Sequence, residues 1–242
     1  MKWHVPLLVF PFIAAVALGQ DRQVVAYWAQ NDNSLPGGGF GFISTAFPQP
    51  ADVGIGQLSV GGGLFSETEV NSNGDEVFTW IESFAGFAAN AQDGFPAGGS
   101  ISPQGGTDNG NNGGYFDFTF SMTGLTDLQV SYDTRGTGGG FTTHEWSYST
   151  DGTDFVFLET FTGRNVTSWS TLELEPSLLT VLDNVETVFL RLTFDGATGA
   201  TGNNRLDNIT LTAIPEPSTY ALIFGAVLLA GVLARRRYLA NR

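Results

Sequence analysis

The sequence predicts an all-β chain: a two-sheet β-sandwich followed by a single C-terminal hydrophobic helix. Three observations predict it. Short runs of β-branched and aromatic residues alternate with polar ones at period two, each bounded by Gly, Asn or Asp. Before residue 214 no segment of helical length carries a sustained 3.6-residue apolar period. The 32 glycines fall between the runs and follow no fixed repeat, which marks tight turns and not a fibre.

In chain order the expected strands are 24–29, 56–60, 77–83, 115–122, 128–133, 144–149, 155–161, 171–174, 187–194 and 206–212. Residues 115–120 alternate at the aromatic level, and 188–194 place Phe189 and Arg191 on one side. Asp151-Gly152 between two aromatic runs is a hairpin turn signal. The one helical expectation in the body is a turn or two within 175–184. Ten strands in under 200 residues suit a jelly roll. Three Gly-rich stretches within 31–63 read as long loops of the same sandwich, so the division is 1–19, a body at 20–213, and a tail at 214–242.

Charge narrows the functions. All 24 acidic residues lie between Asp21 and Glu216, against Arg22, Arg135, Arg164, Arg191 and Arg205 and no lysine, a net of −19 for the body. Such a surface excludes nucleic acid as a partner, because phosphate neutralisation needs a basic face. It favours solubility and attracts divalent cations. The absence of cysteine removes disulfides, thiolate metal sites and cysteine nucleophiles.

The ends speak of export. Lys2, the apolar run 5–18 and the small residues Ala17 and Gly19 read as a signal peptide over 1–19, expected to be cut by signal peptidase before Gln20. The tail reads Pro215-Glu216-Pro217-Ser218, then an uncharged run at 220–234, then Arg235-Arg236-Arg237. As a helix that run is about 22 Å long. It is expected to enter the membrane before processing, with the three arginines as the cytoplasmic stop.

This tail resembles the PEP-CTERM sorting signal of Gram-negative bacteria. The resemblance covers about 214–242 and implies an exosortase as partner, which cuts near the Pro-Glu-Pro and leaves the body at the cell surface, in the outer membrane or outside the cell. It also implies company with exopolysaccharide. Tyr238 to Arg242 extend five residues past the usual close. The body from Tyr115 to Thr212, with its Trp146-x-Tyr148 hairpin and its last strand opened by Arg205-Leu206-Asp207-Asn208, looks like the lectin-like or carbohydrate-binding-module-like jelly rolls that often precede such tails.

Site chemistry follows from scarce residue types. His144 is the one histidine after signal removal and is expected at the surface beside Glu145. No Gly-x-Ser-x-Gly, Walker or Ser-x-x-Lys motif is present, so no catalytic residue and no enzyme is expected. Oxygen-rich runs at 71–76 and 107–112 nominate Asp75 and Asp108 for calcium, without EF-hand spacing. The resemblance to carbohydrate-binding modules nominates Asp207 for a structural calcium. No other cofactor is expected. Sugar platforms need exposed aromatics, and Trp169, in a polar stretch, and Trp146, two residues from Tyr148, are the candidates. The reading is a non-enzymatic surface or matrix protein associated with exopolysaccharide. The alternatives are a carbohydrate-binding module with a defined sugar site, and a secreted glycoside hydrolase using a pair among Glu67, Glu69, Glu82 and Glu145.

Overall fold

Alternation decides which side of each strand is buried. Along residues 114–120 the odd-numbered Tyr115, Asp117 and Thr119 are half-exposed, while Phe116, Phe118 and Phe120 are buried. Residues 188–195 repeat the pattern, burying Val188, Leu190, Leu192 and Phe194. Two such strands side by side need a second apolar layer across from them, and the chain supplies it.

The computed structural model describes residues 21–31, 40–92 and 94–240, so the expected signal peptide lies outside the described residues. Its strands are β1 (Gln23–Trp28), β2 (Phe40–Ile43), β3 (Gln49–Pro50), β4 (Val53–Gly54), β5 (Gly56–Gly61), β6 (Thr68–Val70), β7 (Glu76–Ala85), β8 (Gly99–Pro103), β9 (Gly114–Phe120), β10 (Leu125–Gly136), β11 (Thr143–Ser149), β12 (Val156–Thr162), β13 (Ser170–Glu173), β14 (Val188–Asp195) and β15 (Asn204–Pro215). A nine-stranded sheet runs β13-β10-β15-β8-β7-β2, with β1 branching from β15 and carrying β4, and β6 branching from β7. A six-stranded sheet runs β12-β11-β14-β9-β5-β3. From β8 onward every connection crosses between sheets except the β11–β12 hairpin, which is the wrapped order of a jelly roll. The first half of the chain extends both sheets: β5 pairs with β9, and β1 shares one edge of β15 with β8.

Aromatic rings fill the space between the sheets. Trp28 meets Phe118 edge-on at 5.3 Å, and Phe65, Phe116, Phe141 and Phe194 pack together. Each such ring removed from water contributes about 1.5–3 kcal/mol. The stretch after β13 becomes α1 (Pro176–Leu179) and a 3₁₀ turn over Thr180–Leu182, started by Pro176 and by the Glu175 carboxylate, which accepts from the Ser177 N–H.

The chain ends in α2 (Pro217–Ala240). Among the described residues no helix is long and apolar enough to cross a membrane, which corrects the expected spanning helix. The physical reason is that α2 runs on through Arg235, Arg236 and Arg237. Its uncharged part, 217–234, is about 27 Å long with a polar first turn, shorter than the roughly 30 Å hydrocarbon layer.

Candidate functional site

The outer face of the nine-stranded sheet holds the densest polar cluster, and β10 and β15 build it. Their register sets Asp133 opposite Asp207 and Arg135 opposite Arg205. Between Asp207 and Thr210, β15 spends one residue more than its partner, a bulge carried by Asn208 at φ 48°. Asn is one of the few residues that takes this conformation at low cost. The bulge turns the Asn208 side chain into the network. Its amide donates to Asp133 Oδ2 at 2.9 Å and to the Phe87 carbonyl, and its oxygen accepts from Tyr27 Oη at 2.7 Å. Thr171 donates to the other oxygen of Asp133.

Asp133 and Asp207 are both 0% exposed, roofed by the connection between β7 and β8. Asp207 accepts from Phe87 N at 2.6 Å and from Asn208 N at 2.8 Å. Those bonds favour the ion, but burial outweighs them and pushes the carboxyl up to about 8, with the charge of Asp133 adding to the rise. Burial raises Asp133 too. A Cβ placed on Gly86 would lie 2.1 Å from Ala97 O, 2.2 Å from Gly99 O and 2.4 Å from Asp207 Oδ2. Three oxygens thus converge where no side chain can enter. They call for a proton on Asp207 or a cation, and an all-oxygen set of one carboxylate with carbonyls fits calcium. Among the described residues no group of three or more His, Asp or Glu lies close enough to hold a metal.

Aromatics and arginines frame this cluster. Phe87 stacks on Trp169 with centroids 5.2 Å apart and planes at 7°, both rings half-buried. Trp169 directly precedes Ser170, which pairs with Thr134 next to Arg135. The Arg205 guanidinium sits 4.5 Å over the Phe84 ring. Arg22 pairs with Asp127, and Arg191 grips Asp117 with two 2.7 Å bonds between the rings of Tyr115 and Phe155. Arg135 and Arg205 have no carboxylate partner among the described residues, and Arg135 Nε is buried without any hydrogen bond. Toward the other end, the face continues into a shallow depression lined by Gln129, Ser131, Glu173, Thr210 and Thr212.

At its far end β15 carries a different signal. Ile214 pairs with Thr126, Pro215 with Leu125, and Glu216 N donates to Gly124 O at 2.9 Å. Pro-Glu-Pro is followed by the helix and the arginine cluster. Residues 213–237 match the PEP-CTERM protein-sorting motif. The PEP-CTERM segment marks the chain as an exosortase substrate, exported and sorted to the cell envelope or surface. Among solved structures the chain is similar to the carbohydrate-binding module TmCBM61 in complex with β-1,4-galactotriose, at 11% identity and TM-score 0.34, over 62% of this chain and 90% of that one. It is similar to the K2 cleaved adhesin domain of Lys-gingipain at 10% identity and TM-score 0.39, over 73% and 99%. With arabinose-bound MgGH51 α-L-arabinofuranosidase it shares 15% identity and a TM-score of 0.40 over 78% of this chain and 27% of that one, so it spans about a quarter of that enzyme. No curated protein sequence matches it.

The nominated residues fall in separate places. Trp146 is 1% exposed, stacked on Phe118 at 5.7 Å, which removes it as a sugar platform: as an inward residue of β11 it belongs to the core. Trp169 stands on the outer face. Asp75 sits in the exposed β6–β7 hairpin, where Asn71 Oδ1 caps the turn by accepting from Asp75 N at 3.0 Å. Asp108 is exposed in a turn at φ 54°. Neither lies with Asp207. His144 is in the core and not at the surface, bonded to Tyr132 Oη at 3.1 Å and to the Asn204 amide at 3.0 Å, and burial lowers it to about 3. The Asn204 N–H₂ fixes Nε2 as the acceptor, so Nδ1 carries the proton. Sequence reasoning missed Arg135 and Arg205. Their signal was scarcity, two of five cations in a lysine-free body, but only the strand register brings them together.

Proposed function

We propose that this exosortase-sorted chain is a non-enzymatic surface protein whose sandwich holds exopolysaccharide on the outer face of the nine-stranded sheet. One observation carries the reading: the parallel Trp169–Phe87 stack, half-buried and flanked by polar side chains of β10 and β15. A sugar lays its C–H face on an indole while its hydroxyls need fixed polar partners, and both are within reach here. The stack holds the indole in place before any ligand arrives, which lowers the ordering cost of binding.

The buried carboxyls speak against a hydrolase. Asp133 and Asp207 are the acids whose environment is most perturbed upward, yet both are closed off beneath Phe87, out of reach of a glycosidic bond. The Gly86 cradle favours a second, supporting role for Asp207 as a ligand to a structural calcium, together with Ala97 O and Gly99 O.

Affinity electrophoresis of the purified full-length chain in gels containing the host's exopolysaccharide tests the reading. Retardation that Trp169→Ala abolishes, with circular dichroism unchanged, is the expected result. Equal retardation of both proteins would sink the platform, and none for either would sink polysaccharide binding.

A further inference from the structure

Arg135 and Arg205 are directly opposed on adjacent strands, an arrangement in which like charges repel. A surface with 24 acids had many ways to neutralise them, yet among the described residues neither has a carboxylate partner. Their other environment is aromatic and partly dry: Arg205 lies over Phe84, and Arg135 Nε is buried with its hydrogen unused. Desolvation and the neighbouring Arg135 both weaken the hold of Arg205 on its proton. Both side chains remain part-exposed, so nitrogens other than the enclosed Arg135 Nε can meet an acceptor arriving from outside.

We infer that Arg135 and Arg205 form an anion subsite, and that the polysaccharide held on this face is acidic, its carboxylate or sulfate oxygens lodging between the two guanidiniums beside Trp169. This rests on the polysaccharide reading and names the class of polymer. Two planar guanidiniums offer several N–H donors to an oxyanion, and Trp169, one residue past the Ser170–Thr134 pair just as Arg135 is, receives the ring that bears it. The opposing term is the body's net charge of −19, which repels a polyanion at long range. At about 0.15 M salt the Debye length is roughly 8 Å, so distant acids are screened while an anion in contact with the pair is not. Binding is therefore expected to be local, and to survive physiological salt.

The test uses the full-length protein at about 0.15 M salt and three probes: polygalacturonate, the same polymer with its carboxyls reduced to neutral galactose units, and dextran sulfate. Affinity is read from the quenching of tryptophan fluorescence. The expected result is polygalacturonate bound at least tenfold more tightly than its reduced form. In the Arg135→Gln, Arg205→Gln double variant that preference should disappear while weak binding to the neutral polymer remains. Dextran sulfate bound in preference to polygalacturonate would assign the pair to sulfate esters. Melting temperature guards the result: removing one or both of two repelling, unpaired charges should leave it unchanged or raise it. Wild-type protein binding the charged and reduced polymers equally would overturn the acidic subsite and leave polysaccharide binding intact. Binding to none of the three would remove both.

Discussion

Asp133 and Asp207 face one another across β10 and β15, each wholly buried beneath Phe87 and joined through the bulged Asn208. In the folded, metal-free chain Asp207 keeps its proton to about pH 8, whereas the unfolded chain releases it near 3.8. The stability this contributes is complete below about pH 4 and is lost as pH climbs through 8. His144 acts on the other side. Lowered from 6.5 to about 3, it costs stability as pH falls below 6.5, because only the unfolded chain takes up the proton there. The two slopes oppose each other between about pH 4 and 6.5; above that His144 no longer titrates, and Asp133, also raised by burial, works in the same direction as Asp207. Stability is expected to fall by about 1.4 kcal/mol per pH unit just above 6.5, with the slope easing to about half that near pH 8. Thermal melts in chelator from pH 5 to 9 check this, and Asp207→Asn should flatten the alkaline limb.

A cation would displace that proton from the same oxygens. Calcium is therefore expected to raise the melting temperature and to erase the alkaline decline. The gain is about 2.7 kcal/mol at a hundredfold excess over its dissociation constant. Asp207→Asn should lose the response, while Asp75→Asn and Asp108→Asn, changes in two exposed turns, should keep it. Melting curves indifferent to both calcium and chelator would leave the proton as the sole occupant.

The two tryptophans nominated for sugar should separate cleanly. Trp146 fills the space between Phe118 and Tyr132, and its removal leaves a cavity that neighbours on two sheets cannot close. Trp146→Ala is expected to cost about 3–5 kcal/mol in denaturant melts. Trp169 rests on Phe87 at the surface, so Trp169→Ala should cost under about 1 kcal/mol and abolish polysaccharide retention. The opposite pattern would exchange their roles.

The contrast between these residues shows what was legible in the sequence. All ten expected strands are present within a few residues, because period-two alternation is a direct consequence of one face being buried. Five strands were missed, β2, β3, β4, β6 and β8; β3 and β4 are two residues long, and in β6 and β8 burial sets no alternation. β8, Gly-Ser-Ile-Ser-Pro, is buried at every position and reads as a loop, while β6 is exposed at every position. Trp146 and Trp169 look alike as letters; strand parity separates them, and parity requires knowing which face is inside. The Asp133–Asp207 and Arg135–Arg205 pairs join residues about seventy apart, and a register offset by a bulge is not written in local composition.

The sorting motif begins inside the folded body. The match at 213–237 opens within β15, Ile214 and Pro215 are paired to Thr126 and Leu125, and Glu216 N is bonded to Gly124 O. An enzyme that cuts a peptide bond needs its target backbone extended and free, so the cut near Pro-Glu-Pro that the resemblance implies would have to wait for this strand end to peel away or would have to precede folding. Pro215 has no N–H to donate, which makes the end of the ladder the weak point. A four-residue Gly-Ser insertion between Ala213 and Ile214, at the first position of the match but leaving Pro-Glu-Pro, the helix and the arginine cluster unchanged, is expected to speed processing several-fold, as measured by pulse-chase with the mature C-terminus identified by mass spectrometry. A Thr126→Cys, Ile214→Cys pair, placed on directly opposed residues, should slow it until a reductant is added. Equal rates in all three proteins would mean that the exosortase takes its substrate before β15 has docked.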